Sequence, residues 1–270
     1  MSVTLKLDMK GIAKRFGGVV ALDCVDFELR RGEVMALVGD NGAGKSTLIK
    51  TLAGAHMPDE GVIMLDGVEV RFTSPQDAWR RGVATIFQEL ALAGKMTIAD
   101  NIFLGREITR KVAGIHFLDR RAMHRRSREL LDQLDVEVPD IHTWVEYLSG
   151  GQRQGVAIAR ALNIDADVIV MDEPTAALAV AEVRKVLEFI KTLRRQGKSV
   201  ILISHNVQDV FEVSDRITVL RRGRRIALLE TSQSTPEEVV GYITGAAETA
   251  RRPQHIHEKP EAKQQHGAKT

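Results

Sequence analysis

The sequence predicts an α/β fold with a mostly parallel sheet, an N-terminal antiparallel β subdomain and an inserted helical subdomain. Three observations predict it. Short runs that are apolar throughout, VMALV at 34–38, VIVMD at 168–172 and SVILI at 199–203, read as strands covered on both faces. Helical patterns separate these runs, as parallel connections require. The first 70 residues instead carry alternating segments and hairpin turns.

Each element has its own reason. Residues 3–10 and 25–30 alternate apolar and polar and read as strands, with KRFGGVVAL between them and Phe16 ahead of a Gly-Gly turn. Spacing alone favours Phe16 as a core residue, with stacking on an adenine face as the alternative. The single cysteine, Cys24, excludes an internal disulfide, and its apolar neighbours predict a small core residue. VIMLDGVEV at 62–70 is a hairpin, because Asp66-Gly67 suits the two positive φ angles of a type I′ turn. Ser74-Pro75 opens a helix over 74–81, and VATIF at 83–87 is another buried strand. Gln88 follows it, either as a ligand contact at a strand's carboxyl end or as a solvated loop end.

From 97 to 163 the pattern is helical, and 90–163 reads as a subdomain inserted between strands of the main sheet. Thr97 caps one helix and Asp119 another running to Leu134, with Met123, Leu130, Leu131 and Leu134 on one face. The arginines at 120, 121, 125, 126 and 128 read as a solvated face, since no aromatics are interleaved with them. A helix from Val180 to Gln196 precedes SVILIS. A second hairpin turns at Arg222-Gly223, and Thr235-Pro236-Glu237-Glu238 opens a last helix that closes at Gly245. From 246 onward the chain is almost without apolar residues and is expected to be disordered; its histidines belong to a solvated tail.

The chemistry centres on GDNGAGKST at 39–47. Glycines at 39, 42 and 44 let the backbone turn sharply, and Asp40, Asn41 and Ala43 complete a loop whose N–H groups can cradle phosphates. Lys45 adds a point charge, Ser46 a hydroxyl for a cation, and Thr47 follows in the helix. The strand before and helix after make this a nucleoside triphosphate site. A second anion-receiving helix start is LSGGQ at 148–152: Ser149 and Gln152 form a capping box, and Gly150 and Gly151 bare the first turn. Asp172, ending a buried strand, can hold magnesium, and Glu173 is placed to polarise a water. His205 ends the last long core strand, either as a structural residue or as a contact to the γ-phosphate.

Composition sets outer limits. Charged residues make up 27% and the net charge is +2, a balance that argues against a dedicated nucleic-acid binder. The N-terminus lacks the apolar run of a signal peptide, and no stretch approaches the roughly 18 apolar residues of a membrane span. A soluble, cytoplasmic chain is expected, with any membrane role supplied by a partner.

The order of these motifs resembles the ATP-binding cassette family of transport ATPases over residues 4–245. GDNGAGKS, Gln88, LSGGQ, VIVMDE and His205 stand where that family places its Walker A, Q-loop, signature, Walker B and switch histidine. NIFLGRE, FQEL and PTAAL are similar to the bacterial monosaccharide-import branch, and the lone phosphate loop resembles its single-cassette, fructose-type members. The resemblance implies ATP and Mg2+ as ligands, with Lys45 on the β- and γ-phosphates and Ser46, Asp172 and Gln88 around the metal. It implies Glu173 as base, His205 on the γ-phosphate and Phe16 on adenine. Leu148 to Gln152 would close on ATP held by a second cassette. The implied partners are an identical cassette, integral-membrane permease subunits and, indirectly, a periplasmic sugar-binding protein, at the cytoplasmic face of the inner membrane. Ala179 departs from the family's usual aspartate in the loop after Walker B. A cassette acting on ribosomes or DNA, or a purely regulatory one, is the rival reading. Ribosome-acting relatives usually carry two cassettes, DNA-repair relatives carry a long coiled coil, and Glu173 and His205 are intact here.

Overall fold

The computed structural model describes residues 4–112, 114–176 and 178–246; the tail expected to be disordered lies outside them from 247 onward. Two long strands, β1 (Leu5–Phe16) and β2 (Val19–Arg30), form a hairpin turning at Gly17, so the strands expected over 3–10 and 25–30 extend through KRFGGVVAL to that turn. Repeated register shifts break the simple alternation there and hide the strands from a period-two reading. One of those irregular positions is Cys24, which has φ +53° and is exposed. The expectation of a core cysteine is therefore corrected: left-handed backbone at an irregular stretch turns its side chain out of the alternation.

The central sheet contains β3 (Val34–Val38), β6 (Val83–Ile86), β9 (Val168–Asp172), β10 (Ser199–Ile203), β11 (Arg216–Arg221) and β12 (Arg224–Glu230), in the order β12-β11-β3-β10-β9-β6. All neighbours are parallel except β11 with β12. The smaller sheet pairs β2-β1 with β4 (Glu60–Leu65) and β5 (Val68–Val70); Asp66 and Gly67 carry φ +51° and +77°, as their hairpin requires. The remaining hairpin is β7 (Thr109–Val112) with β8 (Ile115–Leu118), inside the stretch expected to be helical. Its apolar residues Ile115, Phe117 and Leu118 are exposed, so no burial pattern advertised it.

The helices are α1 (Lys45–Leu52), α2 (Pro75–Arg80), α3 (Ile98–Phe103), α4 (Arg120–Gln133), α5 (Gly150–Leu162), α6 (Val180–Arg195), α7 (Val207–Val213) and α8 (Pro236–Thr244). Caps fix several starts. Ser74, Thr97, Asp119 and Thr235 each accept a hydrogen bond from a first-turn N–H, of Asp77, Asp100, Ala122 and Glu238 respectively. Such a cap contributes about 1 kcal/mol.

Every residue of β3, β9 and β10 is buried because both faces are covered. Met35, Leu37, Val168, Val170, Ile201 and Ile203 pack with α1 and the antiparallel sheet. Val34, Ile169, Met171, Val200 and Leu202 face the opposite way, into the core of α3 to α6. A further small core under β11 holds Val210, Val239 and Tyr242 from α7 and α8. Buried Lys6 of β1 clasps the two sheets together, with its ammonium 2.8 Å from Asp167 and 2.9 Å from Asp66. No helix among the described residues is long and apolar enough to cross a membrane.

Candidate nucleotide site

The register of the parallel strands brings the chemistry to one edge. Leu37 pairs with Ile203, Ile203 with Asp172, and Met171 with Ile86. The carboxyl ends of β3, β10, β9 and β6 therefore lie side by side, delivering the glycine-rich loop, His205, Asp172 with Glu173, and Gln88 to the edge where open α/β sheets bind ligands.

The loop from Gly39 to Gly44 is shaped by close approach. A Cβ on Gly39 would meet the Leu220 carbonyl at 2.2 Å, and one on Gly44 would meet the Ala21 carbonyl at 2.8 Å, both at positive φ. Only glycine fits either place. Asp40, Asn41 and Gly42 are exposed, while Ala43 anchors the loop in the core. Gly44 precedes α1 and no side chain caps that helix, so its first N–H groups face the loop without a protein competitor. Ser46 is exposed and Thr47 half-buried on the first turn.

Lys45 is 7% exposed and donates to the carbonyls of Gly39 at 2.8 Å and Asp40 at 3.1 Å. Burial pushes its ammonium pKa down, against the pull of Glu173, Asp172 and Asp40. Burial likewise pushes the Asp172 carboxyl up, and the neighbouring Glu173 charge adds to this, with Lys45, Lys50 and His205 opposing. Glu173 holds left-handed backbone, φ +52°, an uncommon conformation for a residue of its kind. Its Oε1 lies 2.6 Å from His205 Nε2. Lys45, Asp172, Glu173 and His205 thus form one electrostatically coupled group.

Gln88 is exposed, two residues beyond the last β6 partner of β9. Phe16 is 43% exposed at the hairpin end, edge-on to His56 at 5.2 Å between centroids, with Lys14 Nζ 5.6 Å from its ring. The core alternative for Phe16 falls. The second strand of the same hairpin touches Gly44 through the Ala21 carbonyl, five residues beyond Phe16.

The signature start keeps other company. Ser149 Oγ accepts from the Gln152 N–H at 3.2 Å, and Gln152 Oε1 accepts from the Ser149 N–H at 3.0 Å. Gln152 Nε2 also donates to the Glu137 carbonyl. Leu148 is buried, whereas Ser149 and Gly150 are exposed and Gly151 lies under Glu182. No hydrogen bond among the described residues links this start to the phosphate loop.

Several contributing residues gave no signal in the sequence. Arg160, near the far end of α5, donates to the carbonyls of Leu90 at 2.7 Å and Ala91 at 2.9 Å, just beyond Gln88. Buried Asn101 accepts from the Ala93 N–H, and its amide nitrogen reaches the Ala93, Met96 and Thr97 carbonyls. Thr175 Oγ1 donates to Asp209, which also accepts from Asn206. The pattern Asn206-x-x-Asp209 after β10 was a readable cap for α7; Arg160 and Asn101 had no spacing to reveal them.

This fold and edge define a P-loop nucleotide-binding cassette. Residues 22–176 match the family model described as ABC transporter, and the chain belongs to that family. It is 49% identical to the fructose import ATP-binding protein FrcA of Rhizobium meliloti, over 91% of this chain and 96% of that one. It is 48% identical to the xylose/arabinose import ATP-binding protein XylG of Sulfolobus acidocaldarius, over 89% and 94%. The ribose import ATP-binding protein RbsA 1 of Rubrobacter xylanophilus is 47% identical, but the match covers 88% of this chain and only 47% of that protein. Among solved structures, the dimeric post-hydrolysis state of the ATP-binding cassette MJ0796 with ADP and Pi superposes with a TM-score of 0.73. It is 25% identical, over 83% of this chain and 98% of that one.

Proposed function

We propose that this chain is the ATP-hydrolysing subunit that energises import of a monosaccharide, fructose or a pentose, through a membrane partner. The observation that carries the reading is the convergence of Lys45, Asp172, Glu173 and His205 on one sheet edge beside an uncapped helix start. The sugar class rests on the two relatives that align nearly end to end.

In this reading the loop N–H groups and Lys45 hold the β- and γ-phosphates, exchanging the Gly39 and Asp40 carbonyls for phosphate oxygens. Phe16, exposed at the end of the β1–β2 hairpin, stacks on the adenine. Glu173 takes a proton from the attacking water, and His205 orients that carboxylate and faces the γ-phosphate. Ser46, Asp172 and Gln88 offer one hydroxyl, one carboxylate and one amide oxygen, the sparse hard-oxygen set that suits Mg2+ with phosphates and waters completing its shell. Bound there, Mg2+ would neutralise phosphate charge. The partners in this reading are a second copy of the chain, permease subunits that sense Gln88 and its loop, and a periplasmic sugar-binding protein. The chain would sit against the cytoplasmic side of the membrane.

The test is ATP turnover and sugar uptake in vesicles carrying the cassette with its permease. Lys45→Ala removes one preorganised charge at the phosphates and is expected to lower turnover by about 10²–10³-fold. Near-normal turnover would mean that the active site lies elsewhere. ATP-dependent uptake of neither fructose nor a pentose would overturn the sugar assignment alone.

A further inference from the structure

The start of α6 touches the start of α5 through one side chain. Glu182 stands half-buried in the first turn of α6, and its Oε2 accepts a hydrogen bond from the Ala179 N–H at 3.1 Å. The same carboxylate lies against Gly151: a Cβ built there would sit 2.0 Å from Glu182 Oε1 and 2.4 Å from Cδ. Ala179 has no side-chain oxygen with which to cap α6, so Glu182 is what holds this turn. Gly151, Leu178, Glu182 and Lys185 border one cavity of about 380 Å³ between the two helices.

Glu173, Thr175, Ala176 and Leu178, between β9 and α6, each make a hydrogen bond. The Glu173 N–H donates to the Ile203 carbonyl at 2.9 Å, and Ala176 N–H to the Glu173 carbonyl at 3.1 Å. Thr175 Oγ1 is fixed on Asp209 at 2.8 Å, and Leu178 N–H donates to the Thr175 carbonyl. Glu182, at the start of the helix that follows this segment, is gripped between Ala179 and Gly151. Packed contacts of this kind move together rather than absorb displacement.

We propose that Glu182 is a positioning residue that ties the start of α6, where the chain arrives from Glu173, to the signature start of the same chain. This deepens the reading above, in which each signature start serves the nucleotide of a second copy. In such a pair the tether lets one nucleotide site feel the state of the other. It also gives Gly151 a role inside its own chain: any side chain there would expel the Glu182 carboxylate. The carboxylate approaches Gly151 from the side on which a Cβ would stand.

The test uses three variants of the full chain and two readouts. Glu182→Ala removes the tether, and Glu182→Gln keeps shape and an acceptor oxygen. Ala179→Asp added to Glu182→Ala restores a cap for α6 without touching Gly151. Amide hydrogen exchange in the nucleotide-free chain is expected to rise about fivefold in Glu182→Ala, both at 178–182 and at 149–152. In the reconstituted transporter, Glu182→Ala is expected to bring the Hill coefficient for ATP close to one while nucleotide affinity of the isolated chain stays unchanged. Glu182→Gln should resemble wild type in both assays. The double variant should recover slow exchange in α6 but not the Hill coefficient. Exchange that changes only in α6, or a wild-type Hill coefficient in Glu182→Ala, would overturn the tether. A wild-type transporter with no cooperativity would instead count against paired nucleotide sites, and the exchange at 149–152 would still decide the contact.

Discussion

Asp172 shows what crowding charges at one sheet edge costs the fold at the scale of one residue. Burial and the Glu173 charge raise its carboxyl above the ordinary carboxylate value. The folded chain therefore binds more protons at this group than the unfolded chain does between the two values. Stability from this source is fully present below the ordinary value, about 4, and falls as pH rises through the raised one. Asp172→Asn keeps the shape and removes the charge. Its melting temperature, without nucleotide, should exceed that of wild type at pH 7, and the gain should shrink as the pH is lowered towards about 4. Turnover should be lost in the same variant, since stability and activity pull apart where charges are crowded for chemistry. A lower melting temperature at pH 7 would show that attraction to Lys45 outweighs burial. Lys45 has the mirror-image problem, with burial lowering its pKa.

At the scale of elements, α5 is a lever with a named contact at each end. Its start carries Ser149 and Gly151, and near its last turn Arg160 holds the Leu90 and Ala91 carbonyls of the loop after Gln88. Burial disfavours the guanidinium charge, so two carbonyl bonds are what keep it there. Asn101 braces the same loop from α3. Arg160→Ala should therefore loosen the link between Gln88 and the signature helix while leaving the phosphate loop intact. Sugar-stimulated hydrolysis should fall about three- to tenfold more than basal hydrolysis, with nucleotide affinity unchanged. Substitutions between Gln88 and Lys95 should act in the same sense. An equal fall in affinity, basal and stimulated rates would point to a local folding defect.

The whole molecule presents two helix starts able to receive an anion, at Gly44 and at Ser149, each with different neighbours in the chain. Both can serve one nucleotide if two copies meet head to tail, and two-fold symmetry then makes two equivalent sites. The solved MJ0796 cassette with ADP and Pi, similar in fold, is itself dimeric. Glu173→Gln keeps shape but removes the proposed base, so it should bind ATP, accumulate as a dimer in ATP and return to monomer in ADP. Light scattering at high protein concentration reads this directly. Cysteines placed at Asn41 and Ser149, in a variant lacking Cys24, should cross-link between chains. Cross-links found only within one chain would falsify the arrangement.

The sequence by itself determined the α/β class, the buried strands 34–38, 168–172 and 199–203, most helix starts and the polar residues that follow the core strands. Those features are written locally: an all-apolar run, a cap three residues from its donor, a glycine where only glycine fits. The family resemblance drawn from the order of motifs also stands with the relatives found. Tertiary structure alone decided the rest. Cys24 faces out because the irregular β1–β2 pairing breaks a strict alternation, and the exposed β7–β8 hairpin had no buried face to mark it. Phe16 left the core because the hairpin end, not its neighbours in sequence, sets its exposure. Arg160 and Glu182 were silent for a related reason. Arg160 binds carbonyls 69 and 70 residues away, and Glu182 covers Gly151 on another helix. Contacts of that kind exist only once the chain has closed on itself, and no periodicity in the sequence encodes them.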